Sequence, residues 1–155
     1  MNFSRFMIHA AAVAALALAP MFANADENTE AVKAMEEYLA FVDYGGGTIS
    51  PAQIAKDDWQ RFHVIDARDK EQFDKEHIPG AVNLEWRQVL EKRASIPKDK
   101  PVLIYCNTGS LSAQAGFALR VAGYDNVRII QGGFAEWKSK GGFDAAAAQA
   151  RGAAK

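Results

Sequence analysis

Apolar and polar positions along this chain fall into short runs that switch between two periods. Val32, Met35, Leu39 and Val42 recur at helical spacing, and Glu27, Glu30, Glu36 and Glu37 fit an exposed face. They predict a helix within residues 26–47, ended by Gly45-Gly46-Gly47. Downstream, residues 48–49, 62–66, 81–84, 102–105 and 127–130 are apolar runs of strand length. Between them the pattern predicts a helix with Ser50 as N-cap and Pro51 at its first position. It also predicts a short helix over 69–75, one over about 85–93, one over 112–122 closed by Gly123, and one over 134–140. Residues 97–100 read as a turn, and the Ala-rich tail from 144 to 155 has little to bury and is expected to fray. Strands that alternate with helices through short connections predict an α/β domain whose parallel sheet is covered on both faces. The run 102–105 is the most apolar, which places it at the centre of that sheet.

Cys106 follows that central strand, in the stretch Cys106-Asn107-Thr108-Gly109-Ser110-Leu111-Ser112. The order is strand, tight loop, helix N-terminus, and ligands of such sheets bind outside the carboxyl ends of the strands. There the first N–H groups of the helix lack internal partners and stabilise an anion, so the thiol should ionise readily. The small residues Gly109, Ser110 and Ser112 let successive N–H groups converge in an anion nest. The competing assignment is a buried cysteine acting as a small hydrophobe.

Composition narrows the classes. With 155 residues, 49% hydrophobic and 24% charged, there is room for one globular domain. A net charge of −1 gives no basic footprint for nucleic acid. Residues 1–25 read as a cleaved signal peptide: Arg5, an apolar stretch over 6–18, Pro20, and the small-x-small site Ala23-Asn24-Ala25. The stretch is shorter than the ~20 residues a spanning helix needs, so no membrane attachment is expected after cleavage, and the periplasm of a bacterium is the expected location. Cleavage leaves a net charge of about −2. Cys106 is the only cysteine, so no internal disulfide forms, and a lone thiol in an oxidising space is buried, paired with another molecule or chemically employed.

Five motifs appear in the order seen in single-domain rhodaneses, which the chain resembles over about residues 49–142. They are Asp66-Ala67-Arg68, His77-Ile78-Pro79-Gly80-Ala81-Val82-Asn83-Leu84, Tyr105-Cys106 with its loop, Gly123-Tyr124, and Gly132-Gly133-Phe134-Ala135-Glu136-Trp137. The resemblance implies a rhodanese-like domain over 48–142 with a five-stranded, mostly parallel sheet and helices on both faces. The accessory helix and Gly-rich linker (26–47) would precede it and the tail (143–155) would follow. It also implies a sulfurtransferase that passes sulfane sulfur from thiosulfate or an organic persulfide to a thiol acceptor, a protein thiol included, through a persulfide on Cys106. Backbone N–H groups from Asn107, Thr108, Gly109, Ser110, Leu111 and Ser112 would hold the persulfide anion, and no cofactor or metal is needed. Many thiosulfate-using relatives carry Arg or Lys in the loop. Here it is uncharged, so thiosulfate is expected to be a poor donor.

Asp66 and Arg68 are expected to form an ion pair that positions loops. Trp86 is a candidate pocket wall, and Arg87 a candidate source of positive charge near the site. His77 is expected to be structural, and Trp59 and Trp137 to be packing residues. Two other functions compete. A phosphatase or arsenate reductase of this fold needs Cys-x5-Arg, and Ser112 stands where that Arg belongs. A non-catalytic module holding a partner or a sulfur species would have no need of the thiol.

Overall fold

The computed structural model describes residues 29–153. The signal peptide expected at 1–25 lies outside those residues. Among them, no helix is long and apolar enough to cross a membrane.

The helix expected before the domain is α1 (Glu30–Phe41), capped by the Thr29 side chain and bearing no buried residue. It rests on the domain through Tyr38, whose ring meets Phe117 edge-on at 5.2 Å. The strands are β1 (Thr48–Ile49), β2 (His63–Asp66), β3 (Val82–Asn83), β4 (Val102–Tyr105) and β5 (Val127–Ile130). They form one five-stranded sheet in the order β1-β5-β4-β2-β3, and every pairing is parallel. As the hydrophobicity of 102–105 predicts, β4 is central and buried along its whole length.

Alternation along the strands divides the core in two. Ile65, Val102, Ile104, Val127 and Ile129 pack with Ala115 and Leu119 of α3 (Ser110–Val121) and with Leu84 and Val89. Val64, Leu103, Tyr105 and Ile130 face the other way, toward Ile54, Trp59, Ile78 and Phe134 of α4 (Gly133–Ser139). Gly116 lets α3 lie close on the sheet, because a Cβ there would stand 2.8 Å from Ile129. The short helix α2 (Lys70–Lys75) is capped by Asp69.

Three expectations change in detail. The helix expected after Ser50 is a short 3-10 turn, Pro51–Gln53, closed by a reciprocal cap in which the Gln53 side chain accepts the Ser50 N–H at 2.8 Å. The helix expected over 85–93 is two separate 3-10 turns, Trp86–Gln88 and Arg93–Ser95. One turn is enough to bury Val89, and Leu90 stays 43% exposed, so there is little apolar face for a longer helix to cover. The tail expected to fray carries α5 (Ala145–Ala153), whose first residue is buried. Phe143 anchors it, meeting the Trp59 and Trp137 rings edge-on at 5.3 Å each.

Candidate active site

β4 delivers Cys106 to the middle of the sheet's carboxyl edge, where its side chain is 2% exposed. The chain then turns into α3 through Gly109, whose φ of +100° lies in the left-handed region that glycine adopts at little cost. This twist brings donors onto the sulfur. Cys106 Sγ accepts the Gly109 N–H at 3.2 Å and the Ser112 N–H at 3.4 Å. The Ser112 hydroxyl is 3.5 Å from Sγ and 3.0 Å from the Gly109 carbonyl, so its one proton serves either acceptor. Burial pushes the thiol pKa up. The Ser112 amide and hydroxyl and the Thr108 and Gly109 amides outweigh it, and the net shift is below the ordinary cysteine value.

The loop's carbonyls are tied on the opposite side. The Phe134 N–H donates to the Cys106 carbonyl at 2.8 Å, and the Ala135 N–H to the Asn107 carbonyl at 3.0 Å. Both donors belong to the first turn of α4. Gly133, with φ +59°, permits this approach, since a Cβ there would lie 2.4 Å from the Cys106 carbonyl oxygen. With the Cys106 and Asn107 carbonyls held outward, the loop presents the Gly109 and Ser112 N–H groups to the sulfur, rather than every N–H from Asn107 to Ser112.

Asp66 and Arg68, buried at 0% and 5% exposure, form the neighbouring network. Arg68 Nη2 donates to Asp66 Oδ2 at 2.6 Å and to the Glu76 carbonyl at 2.6 Å, and Nε donates to Asp66 Oδ1 at 2.9 Å. The Tyr105 hydroxyl donates to the same carboxylate at 2.8 Å and accepts the Ile78 N–H at 3.0 Å. Burial, with the Asp66 carboxylate adding to it, pushes the Tyr105 pKa up, so this hydroxyl stays a donor. The network reaches the loop through Asn107, whose Oδ1 accepts from Arg68 Nη1 at 3.3 Å and whose Nδ2 donates to Gln72 at 2.6 Å.

The other predicted site residues fall into place around this. The side chain of Asn107 is engaged with Arg68 and Gln72 rather than with the sulfur. Thr108 and Ser110 are exposed, and neither hydroxyl bonds to Sγ; Ser112 alone supplies one. Leu111 is 37% exposed on the first turn of α3. Trp86 is half-buried against the core, its N–H donating to the Ala67 carbonyl at 3.0 Å. Arg87 is exposed, and its Nε donates to Glu85 at 2.9 Å. His77 stacks on Phe73, with ring centroids 4.0 Å apart, and its Nδ1 contacts the Phe73 carbonyl. Sequence reasoning missed Gly133, Gln72 and the hydroxyl of Tyr105 as supports of the loop. The Gly132-Gly133 pair before α4 was the one signal available for them.

The rhodanese-like domain model matches residues 50–140, and the chain belongs to that family. Over 76 residues it is 34% identical to the thiosulfate sulfurtransferase GlpE of Coxiella burnetii, which covers 49% of this chain and 71% of that protein. It is 33% identical over 122 residues to the adenylyltransferase and sulfurtransferase UBA4 of Meyerozyma guilliermondii, covering 64% of this chain but only 28% of that longer protein. The structure of a rhodanese-related protein from Thermoplasma volcanium matches the fold with a TM-score of 0.56 at 24% identity, over 61% of this chain and 92% of its own.

Proposed function

We propose that this protein is an exported sulfurtransferase that carries sulfane sulfur as a persulfide on Cys106. The observation that carries the proposal is the thiol itself, at the carboxyl edge of the sheet with N–H and O–H donors aimed at its sulfur. The Cys106 thiolate attacks the outer sulfur of the donor. The S–S bond of thiosulfate breaks, its electron pair leaves with sulfite, and Cys106 keeps the sulfur as an anionic persulfide. The loop amides stabilise that charge without being able to react with it. An acceptor thiolate then attacks the terminal sulfur, becomes a persulfide and restores the Cys106 thiolate. Each step moves one sulfur atom and consumes no external oxidant or reductant. The absence of a cation in the loop favours organic donors over dianionic thiosulfate, which forgoes a charge-assisted hydrogen bond worth roughly 1.5–3 kcal/mol. The leader-like residues 1–25 support export to the periplasm.

Cys106→Ser is the test, since the change is nearly isosteric. The variant should melt as a folded domain, near the wild-type temperature at pH below the thiol's titration, and lose sulfur transfer from every donor. Mass spectrometry of donor-treated wild type should find one added sulfur on the peptide containing Cys106. Undiminished transfer by the serine variant would sink the proposal. A stable wild type that accepts no sulfur would point to a binding module instead.

A further inference from the structure

Two features lie at the amino edge of the sheet, opposite Cys106, and neither the core nor the sulfur chemistry uses them. The first is a pair of aromatic side chains. Phe41 ends α1 and is 89% exposed, and Tyr44, in the turn that follows, is fully exposed. Among the described residues they are the two most exposed large apolar side chains. The Gly46 N–H donates to the Asp43 carbonyl at 2.9 Å and the Thr48 N–H to the Gly45 carbonyl at 3.0 Å, directly ahead of β1. The rings thus stand on hydrogen-bonded backbone, which limits the entropy lost when they are covered. The second feature is a hollow of about 510 Å³ walled by Trp59, Phe62, Val64 and Phe143. Phe62 directly precedes β2, and Pro79 and Gly80, which also line the hollow, precede β3.

The pair and the hollow are diagonal to one another. β1 and β2 are three strand steps apart, about 14 Å. α1 rests on α3, which covers one face of the sheet, whereas Trp59 and Val64 belong to the core on the other. Within one chain the pair therefore stays outside the hollow. A two-fold axis lying across the edge exchanges the two positions between copies.

We propose that this protein is a two-fold dimer in which each copy inserts Phe41 and Tyr44 into the hollow of the other. Three observations favour a second copy as the occupant. The hollow is walled by aromatic rings and has room for two more. The area suffices. An aromatic side chain buries about 150–250 Å², so four rings and the walls that cover them remove roughly 1,200–2,000 Å² from water, the range of a stable interface. The charges also match. Asp43 stands exposed between the two aromatics. Lys56, at the hollow, donates to Asp144 at 3.1 Å while 64% exposed, which leaves its other ammonium N–H groups for Asp43. Asp57 lines the hollow as well, so charge favours the one orientation that brings Asp43 to Lys56. The acids Glu37 and Asp43 beside the rings argue against an anionic lipid surface in the same role. Both Cys106 loops lie at the outer ends of this dimer, open to solvent.

Sedimentation equilibrium of the protein, purified as its host processes it, is the test. A dimer is expected in the micromolar range. Phe41→Ser and Tyr44→Ser change exposed side chains and should leave the circular dichroism of the domain unaltered. Each should raise the dimer Kd about thirty-fold or more, as truncation at the centre of an interface does. Lys56→Glu and Asp43→Lys should each weaken the dimer, and the variant carrying both should recover it. A protein that is monomeric throughout the micromolar range overturns the inference. So does a dimer that withstands both serine substitutions, a charge exchange that restores nothing, or growth beyond two copies. A monomer that floats with phosphatidylglycerol vesicles through Phe41 and Tyr44 assigns the pair to a lipid surface and overturns it equally.

Discussion

Two acidic groups sit on neighbouring strand ends at the carboxyl edge of this sheet, and the fold treats them in opposite ways. Asp66 ends β2 and meets a full positive charge, with Arg68 bonding to both its oxygens and Tyr105 adding a hydroxyl. Cys106 follows β4 and meets only backbone amides and a shared serine hydroxyl. A guanidinium locked onto a carboxylate leaves the anion no capacity for chemistry. Amides lower the energy of a thiolate while leaving its reactive sulfur unpaired with any cation. The first arrangement is scaffold and the second is equipment, and Asn107 joins them through its bond to Arg68.

The largest effect should come from breaking the first arrangement. Arg68→Ala leaves the fully buried Asp66 carboxylate without its cation, and such changes cost about 3–5 kcal/mol. Urea denaturation reads this directly. If an unpaired charge is the cause, the double variant Asp66→Asn/Arg68→Met should recover part of the loss, and equal loss in both would assign the cost to packing against Phe134 and Tyr105 instead.

A smaller effect should come from making the second arrangement resemble the first. Leu111 is partly exposed, so an arginine there reaches solvent rather than burying its charge. Leu111→Arg should lower the KM for thiosulfate about tenfold at low salt with kcat little changed, because donor and transition state feel the charge alike. The gain should fade as salt screens the loop mouth, over about 10 Å at 0.1 M. An unchanged KM in a stable variant would show that loop charge does not limit thiosulfate use.

The smallest effect concerns the amides and the Ser112 hydroxyl at the sulfur. Their donation outweighs burial and lowers the Cys106 pKa. Alkylation by iodoacetamide should therefore have its pH midpoint below that of a free thiol. The linked effect on stability follows in sign. Between the folded and the unfolded pKa the unfolded chain binds more protons, so stability rises with pH across that window and is lost as pH falls through the folded value. Cys106→Ser should lack this slope in a comparison of melting temperature against pH.

The parts of this site that sequence alone made legible are those built from neighbours in the chain. A cysteine after an apolar strand, a glycine three residues on and a serine at 112 are enough to place the nest, because strand, loop and helix are consecutive. β4 could be set at the centre of the sheet for a different reason, because its run is the most apolar and a central strand is buried on both faces. What stayed hidden depends on residues that meet only in three dimensions. Arg68 and Asn107 are 39 positions apart, and Gln72 and Asn107 are 35. Their side chains carry no mark of the partner they find. The helix read over 85–93 failed for a related reason. Periodicity shows which side chains could share a face, but not that the Ala67 carbonyl fixes where Trp86 begins or how little surface needs covering. The helix in the tail went unread because composition shows its alanines, of which only Ala145 is buried, and not the tryptophans that receive Phe143 just ahead of it.

The seat of α4 against the loop has a consequence for which part of the chain holds the loop in shape. The carbonyls of Cys106 and Asn107 are secured by Phe134 and Ala135, which follow the last strand. A growing chain that has formed β4 and α3 thus already contains the cysteine but not yet the brace that aims the loop. A chain cut before Gly133 would keep every donor to the sulfur in its sequence and lose the two N–H groups that hold the Cys106 and Asn107 carbonyls outward.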